Sequence, residues 1–185
     1  MSQAKQVDAK SPNSSVVNLD IPLERDGFSR SLIRELTGLL EEMIGLEEAS
    51  GFISVVGQHI GSEIGGYYKQ ALQVSKLNQQ QIKDVLLDLK TRIQGDFYII
   101  ESDENKIVMG NRACPFGDKV KDRPSLCMMT SNVFGTIVAD NSGYAKVVLD
   151  ETIAHGDKGC HVTVYFNATE ESNQSDGREY YQAGE

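Results

Sequence analysis

The sequence predicts an α+β fold, with N-terminal helices followed by a small, mainly antiparallel sheet and one intervening helix. Three observations lead there. Apolar residues recur at three- and four-residue steps through the first half of the chain. From residue 96 onward the period changes to short runs of β-branched and aromatic residues bounded by turn formers. The elements also come in segregated order, helix, helix, helix, strand, strand, helix, strand, strand, rather than in the alternation of a βαβ protein. A chain of 185 residues suits one domain. Residues 26–167 carry the pattern, and the polar segments 1–25 and 168–185 read as disordered tails.

In the first helix Phe28, Leu32, Leu36, Leu39, Leu40 and Met43 form an amphipathic stripe, with Asp26 as expected N-cap and Gly45 as stop. A second helix runs through Phe52, Val56, Ile60, Ile64, Tyr67, Tyr68 and Leu72. It carries Gly57, Gly61 and Gly65 four residues apart, a row that weakens a helix unless another backbone packs closely on it. Tight packing within the chain or across a dimer is expected there, with a ligand pocket lined by these glycines as the alternative. Asn78 caps a third helix, whose apolar face is Ile82, Val85, Leu86, Leu89 and Ile93 and which stops near Gly95. Residues 96–101 and 106–109 read as a hairpin. Pro124 and Ser125 open a fourth helix reaching about Ala139, and residues 144–149 and 161–166 are the last two strands.

Composition excludes several classes of function. With 39% apolar and 24% charged residues, and no apolar run of 18 or more, nothing is expected to cross a membrane. Residues 1–18 lack the apolar core of a secretory signal, so a cytoplasmic location is expected. The net charge of -9 disfavours direct nucleic-acid contact, and the Lys119, Lys121, Arg123 cluster, interrupted by Asp118 and Asp122, reads as a solvated loop. No phosphate-cradling or dinucleotide glycine motif is present.

In a reducing compartment the cysteines Cys114, Cys127 and Cys160 point to buried thiols, a metal site or redox chemistry. All three fall at element ends, where chain segments converge and side chains can aim at one point, as tetrahedral zinc requires. No Cys-x-x-Cys pair exists, so spacing leaves plain buried thiols open beside ligands. A fourth ligand would come from Glu151, His155, Asp157 or His161. Glu151 ranks first and His155 second, because His161 follows Cys160 directly and would point to the opposite strand face.

A family resemblance sharpens this. Cys114-Pro115-Phe116-Gly117, Arg123-Pro124-Ser125-Leu126-Cys127-Met128-Met129-Thr130, Asn132-Val133-Phe134-Gly135, Gly143-Tyr144-Ala145-Lys146-Val147 and Ile153-Ala154-His155-Gly156-Asp157-Lys158-Gly159-Cys160 closely resemble the methanogen output domain. The match extends back through Asp88-Leu89-Lys90, Gly95-Asp96-Phe97-Tyr98 and Val56-Gly57-Gln58-His59-Ile60-Gly61, so it covers residues 28–166. That resemblance implies a domain acting in signal transduction or transcriptional regulation, with sensor kinases or response regulators as partners, and no reaction. Glu151 with Gly156-Asp157 and Cys160, and Cys127 upstream, is more distantly similar to vinyl-reductase-like sensory domains, whose fold the prediction matches. There the equivalent Cys, Glu and final Cys hold zinc beneath a small-molecule pocket. That family has a further cysteine where this chain has Ala154, and Cys114 is the candidate replacement.

The combined expectation is a metal-stabilised sensory or output domain, a homodimer, with Cys114, Cys127, Cys160 and Glu151 on zinc. A small apolar ligand would lie among Met128, Met129, Phe134 and Phe97. An iron-sulfur redox or oxygen sensor is the alternative centre. A cysteine-dependent enzyme, with Cys160 or Cys127 as nucleophile and His155 or His161 as base, ranks last, and the chain is not expected to be an enzyme.

Overall fold

The computed structural model describes residues 19–182. Its helices are α1 (Arg25–Ile44), α2 (Leu46–Leu72), α3 (Gln79–Arg92), α4 (Pro124–Ser142) and the short α5 (Glu170–Gln174). Its strands are β1 (Phe97–Ser102), β2 (Lys106–Asn111), β3 (Tyr144–Glu151), β4 (Cys160–Tyr165) and β5 (Arg178–Tyr181), with single 3-10 turns at Gly117–Val120 and Ile153–His155. The α+β class is as predicted. Gly45 alone separates α1 from α2, at a φ of 85° that side chains with a Cβ rarely adopt. On α3, Asn78 and Gln81 form a reciprocal capping box, each side chain accepting from the other's backbone N–H at 2.9 Å. Among the described residues no helix is long and apolar enough to cross a membrane.

The sheet has five strands in the order β1-β2-β4-β3-β5, and every neighbouring pair is antiparallel. One outcome differs from expectation at the chain ends. Residues 1–18 of the N-terminal segment lie outside the described residues. The C-terminal segment, expected as a tail, folds back instead: α5 leads into β5, which pairs with β3 from Tyr144↔Tyr181 to Val147↔Arg178. Its polar composition hides an edge strand in which only Tyr180 is buried. That ring lies on Gly135 of α4, and its hydroxyl is hydrogen-bonded to Ser131 at 2.8 Å.

Helix α4 lies between two layers and is buried on nearly all sides, as a helix apolar all round should be. One side meets the sheet and α3, where Leu86, Ile107, Met109, Phe134, Ile137, Val147 and Val164 form the core. The other side takes α2 through the glycine row. A Cβ added at Gly57 would stand 2.6 Å from that of Asn132, and one at Gly61 would stand 2.9 Å from that of Thr136. Gly65 is looser, 3.8 Å from Ile137. The tight packing expected of this row is therefore made within the chain.

Helix α1 is amphipathic but faces its apolar stripe outward. Phe28, Leu32, Leu36, Leu39 and Met43 are exposed, from 49% at Leu32 to 79% at Met43. Its inward side is mixed: Ile33 packs on Val120, Leu126 and Ala154, and the rest is polar or small. Arg34 donates to the carbonyls of Lys119 and Lys121, both at 2.6 Å, Thr37 is buried, and Gly38 lies against the Arg123 guanidinium. The surface below α1 offers carbonyl oxygens and a guanidinium, so a polar face satisfies it better than leucines would.

Candidate functional site

The three cysteines come to one place. Cys114 follows β2, Cys127 sits in the first turn of α4, and Cys160 starts β4; all three are half-buried and line a cavity of about 30 Å³. The register of β2 on β4 sets the first contact, because Asn111 pairs with Cys160. The Asn111 amide donates to Cys160 Sγ at 3.6 Å, while its carbonyl accepts from the Ala113 N–H at 3.1 Å and so fixes the turn into Cys114. Val120, Leu126 and Ala154 pack as a small apolar cluster behind Cys114 and Cys127. None of the three thiols is in a disulfide.

Burial dominates the chemistry of Cys127 and Cys114. It pushes Cys127 up to about 11, the neighbouring Cys160 and Cys114 add to the rise, and the Thr152 hydroxyl and the Ala154 amide pull against it. Burial also raises Cys114, opposed by the Phe116 amide and by Lys90. Thiols so placed hold their protons at neutral pH, which makes them poor nucleophiles.

Lys90 is the residue that sequence reading missed. It is 3% exposed, its ammonium donates to Thr130 Oγ1 at 2.9 Å, and it lies 5.1 Å from the Phe97 ring centre and 4.9 Å from that of Phe134. Thr130 and Phe97 are both in the cavity wall. Burial pushes Lys90 down to about 8, and Cys114, Cys160 and Cys127 pull it back up. A signal was available: Ile82, Leu86 and Lys90 are spaced by four, which places the lysine on the buried face of α3.

The other candidates stand outside the wall. Glu151 is exposed although Leu149 and Thr152 line the cavity. Regular alternation would put Glu151 on the face of Leu149, but an irregularity between these two residues shifts the register and turns the carboxylate to solvent. His155 is exposed, with Nδ1 hydrogen-bonded to Thr152 Oγ1 at 2.9 Å, and Asp157 accepts from the Thr152 N–H at 2.8 Å. His161 pairs with Asp150 at 2.8 Å. Thr152 thus gathers two of the four side chains that a fourth ligand was expected from, His155 and Asp157. Among the described residues no group of three or more His, Cys, Asp or Glu side chains has an arrangement that could hold a metal ion. As a donor set three undisulfided thiols suit zinc. As they stand, the three thiols do not close on one ion.

Of the residues named as pocket formers, Phe97 lines the cavity, Phe134 is fully buried core, and Met129 packs on that core. A separate open groove of about 390 Å³ lies between α2 and α3, lined by Ile64, Tyr67, Tyr68, Ala71, Leu89, Arg92 and Ile93.

A family model described as methanogen output domain 1 matches residues 32–165. Among solved structures, the crystal structure of the phenol-responsive sensory domain of the transcription activator PoxR with phenol is similar in fold, with a TM-score of 0.60 at 14% identity, covering 83% of this chain and 80% of that one. No curated protein matches the chain.

Proposed function

The chain belongs to the methanogen output domain 1 family, and from that premise we propose that it is a signalling domain whose cysteine cavity holds one zinc ion and which acts as a homodimer on protein partners such as a sensor kinase or response regulator. The observation that carries the metal reading is the convergence of Cys114, Cys127 and Cys160, from three separate chain segments, on one cavity. When bound, the ion would supply a cross-link between the end of β2, the start of α4 and the start of β4, which is the role of a structural zinc. Volume favours a single ion over the alternatives. An apolar cavity that takes benzene measures about 150 Å³, whereas this one is about 30 Å³, which also leaves no room for a multi-atom iron-sulfur core. A small apolar ligand, of the kind named for the PoxR domain, would therefore belong in the α2–α3 groove, whose size is in the range of ligand pockets.

Elemental analysis of anaerobically purified protein tests the centre. One zinc per chain is the expected result. Iron with visible colour would replace zinc by a cluster, and the absence of both would overturn the metal reading. The fourth position is assigned to Glu151, one residue from the wall. Glu151→Gln should then weaken zinc about tenfold, and an unchanged affinity would leave that position to solvent.

The homodimer rests on the outward face of α1. Leu32, Leu36, Leu39 and Met43 follow steps of four, three and four, the seam of a coiled coil, and all are exposed. Phe28 of α1 and Leu46, Phe52, Val55 and Val56 of α2 are exposed as well, which adds apolar surface of the kind an interface buries. Light scattering should give twice the chain mass for the wild type and the chain mass for Leu36→Glu/Leu39→Glu, with an unchanged circular dichroism spectrum because both sites are on the surface. A monomeric wild type would sink the dimer.

A further inference from the structure

A lysine with 3% exposure and no carboxylate beside it is an anomaly that needs a reason. Among the described residues Lys90 makes no salt bridge, and one hydrogen bond, to Thr130, serves an ammonium that has three N–H donors. The rings of Phe97 and Phe134 give the ammonium two π faces, which is partial compensation for lost water and no counter-ion. Burying an unpaired charge is costly, and an apolar residue of the same length would fill this place more cheaply. Negative charge is available to Lys90 from one direction. Thr130, which aims the ammonium, and Phe97, on which it rests, are both wall residues of the cavity where Cys114, Cys127 and Cys160 meet. The arrangement makes sense when the cavity itself is negative.

We infer that Lys90 is the counter-charge of a three-thiolate metal centre, a positioning residue that touches no metal but balances the charge of its ligands. This rests on the zinc reading of the same cavity. Each thiol releases its proton on ligation, so a divalent cation with three thiolates carries one net negative charge before the exposed Glu151 carboxylate is counted, and the Lys90 ammonium offsets that buried part of the charge. The lysine is then a burden in the metal-free protein and an asset in the loaded one. That opposition of signs separates a counter-charge from a side chain that merely packs.

The test uses the full chain, purified anaerobically, with Lys90→Met as a neutral variant of similar length. Two quantities are read: Zn2+ affinity, by competition with a chromophoric chelator, and the melting temperature of the metal-free protein. Lys90→Met should bind Zn2+ 10- to 100-fold more weakly, the usual cost of losing an outer partner of a metal site. Its metal-free form should melt about 2–4 °C higher, because a buried lone charge has been removed. Thr130→Val keeps the charge but loses the bond that aims it, and should weaken Zn2+ severalfold; this variant decides the matter if Lys90→Met does not fold. Wild-type affinity in Lys90→Met overturns the inference, as does a fall in both affinity and metal-free stability. If the wild type itself takes up no Zn2+, the metal reading falls and takes this inference with it; if only the variant comparison fails, the metal reading stands.

Discussion

Gly135→Ala should cost about 3 kcal/mol of stability, the upper range for overpacking, although it adds one methyl group to a helix. Elsewhere in a helix the change from glycine to alanine gains stability. Here a Cβ would overlap the ring of Tyr180, which is 5% exposed and held by its bond to Ser131, so that it has nowhere to go. Tyr180→Ala should cost about 3–5 kcal/mol through the lost aromatic burial. For a chain of this length each kilocalorie shifts the melting point by about 2–4 °C, so either variant should melt some ten degrees lower. In the double variant the ring that clashes with residue 135 is gone, and the combined loss should be well below the sum. Urea unfolding of the three variants measures this. A neutral Gly135→Ala, or strictly additive losses, would mean that β5 does not rest on α4.

Zinc loading should raise the melting temperature by a similar amount, and Cys127→Ser should abolish the rise. A ligand at a thousand times its dissociation constant stabilises by about 4 kcal/mol, or about 8–16 °C here. Cys127 is the informative site because it ties α4 to the turn at Thr152 and Ala154. The metal-free protein provides a second reading of the same residue. Its thiol, raised by burial to about 11 in the folded chain, binds its proton more tightly there than in the unfolded chain. The corresponding stability is present in full below the ordinary thiol value and is lost as pH rises through about 11. Urea midpoints followed across that alkaline window should fall in wild type and fall less in Cys127→Ser. An equal slope in both proteins would remove Cys127 as the titrating group, and a zinc shift that survives its loss would remove it as a ligand.

Most of the elements were legible because their signals are local. The capping of α3 at Asn78, the stop at Gly45 and the change of period near residue 96 depend on neighbours within four residues, and the chain reports them directly. The glycine row announced a close approach without saying to what; the partner proved to be Asn132 and Thr136 of α4. The C-terminal strand was invisible because an edge strand with one buried ring has almost no apolar pattern. The site was half legible. Three cysteines at element ends suggested convergence, and they do converge, but the direction of Glu151 depends on an irregularity in the pairing of β3 with β4 that no spacing announces.

By itself, then, the sequence determined the class of fold, the order of the elements, the family to which residues 32–165 belong and the three thiols to watch. Tertiary structure alone decided which way α1 turns its leucines, where the last strand pairs and what stands beside the thiols. The reason is the range of the forces involved. Helix caps, turns and periodicity are set by dihedral preferences and contacts a few residues apart. The burial of Lys90 and the outward turn of α1 follow from which surfaces distant segments present to one another, and that exists only once the chain has closed on itself.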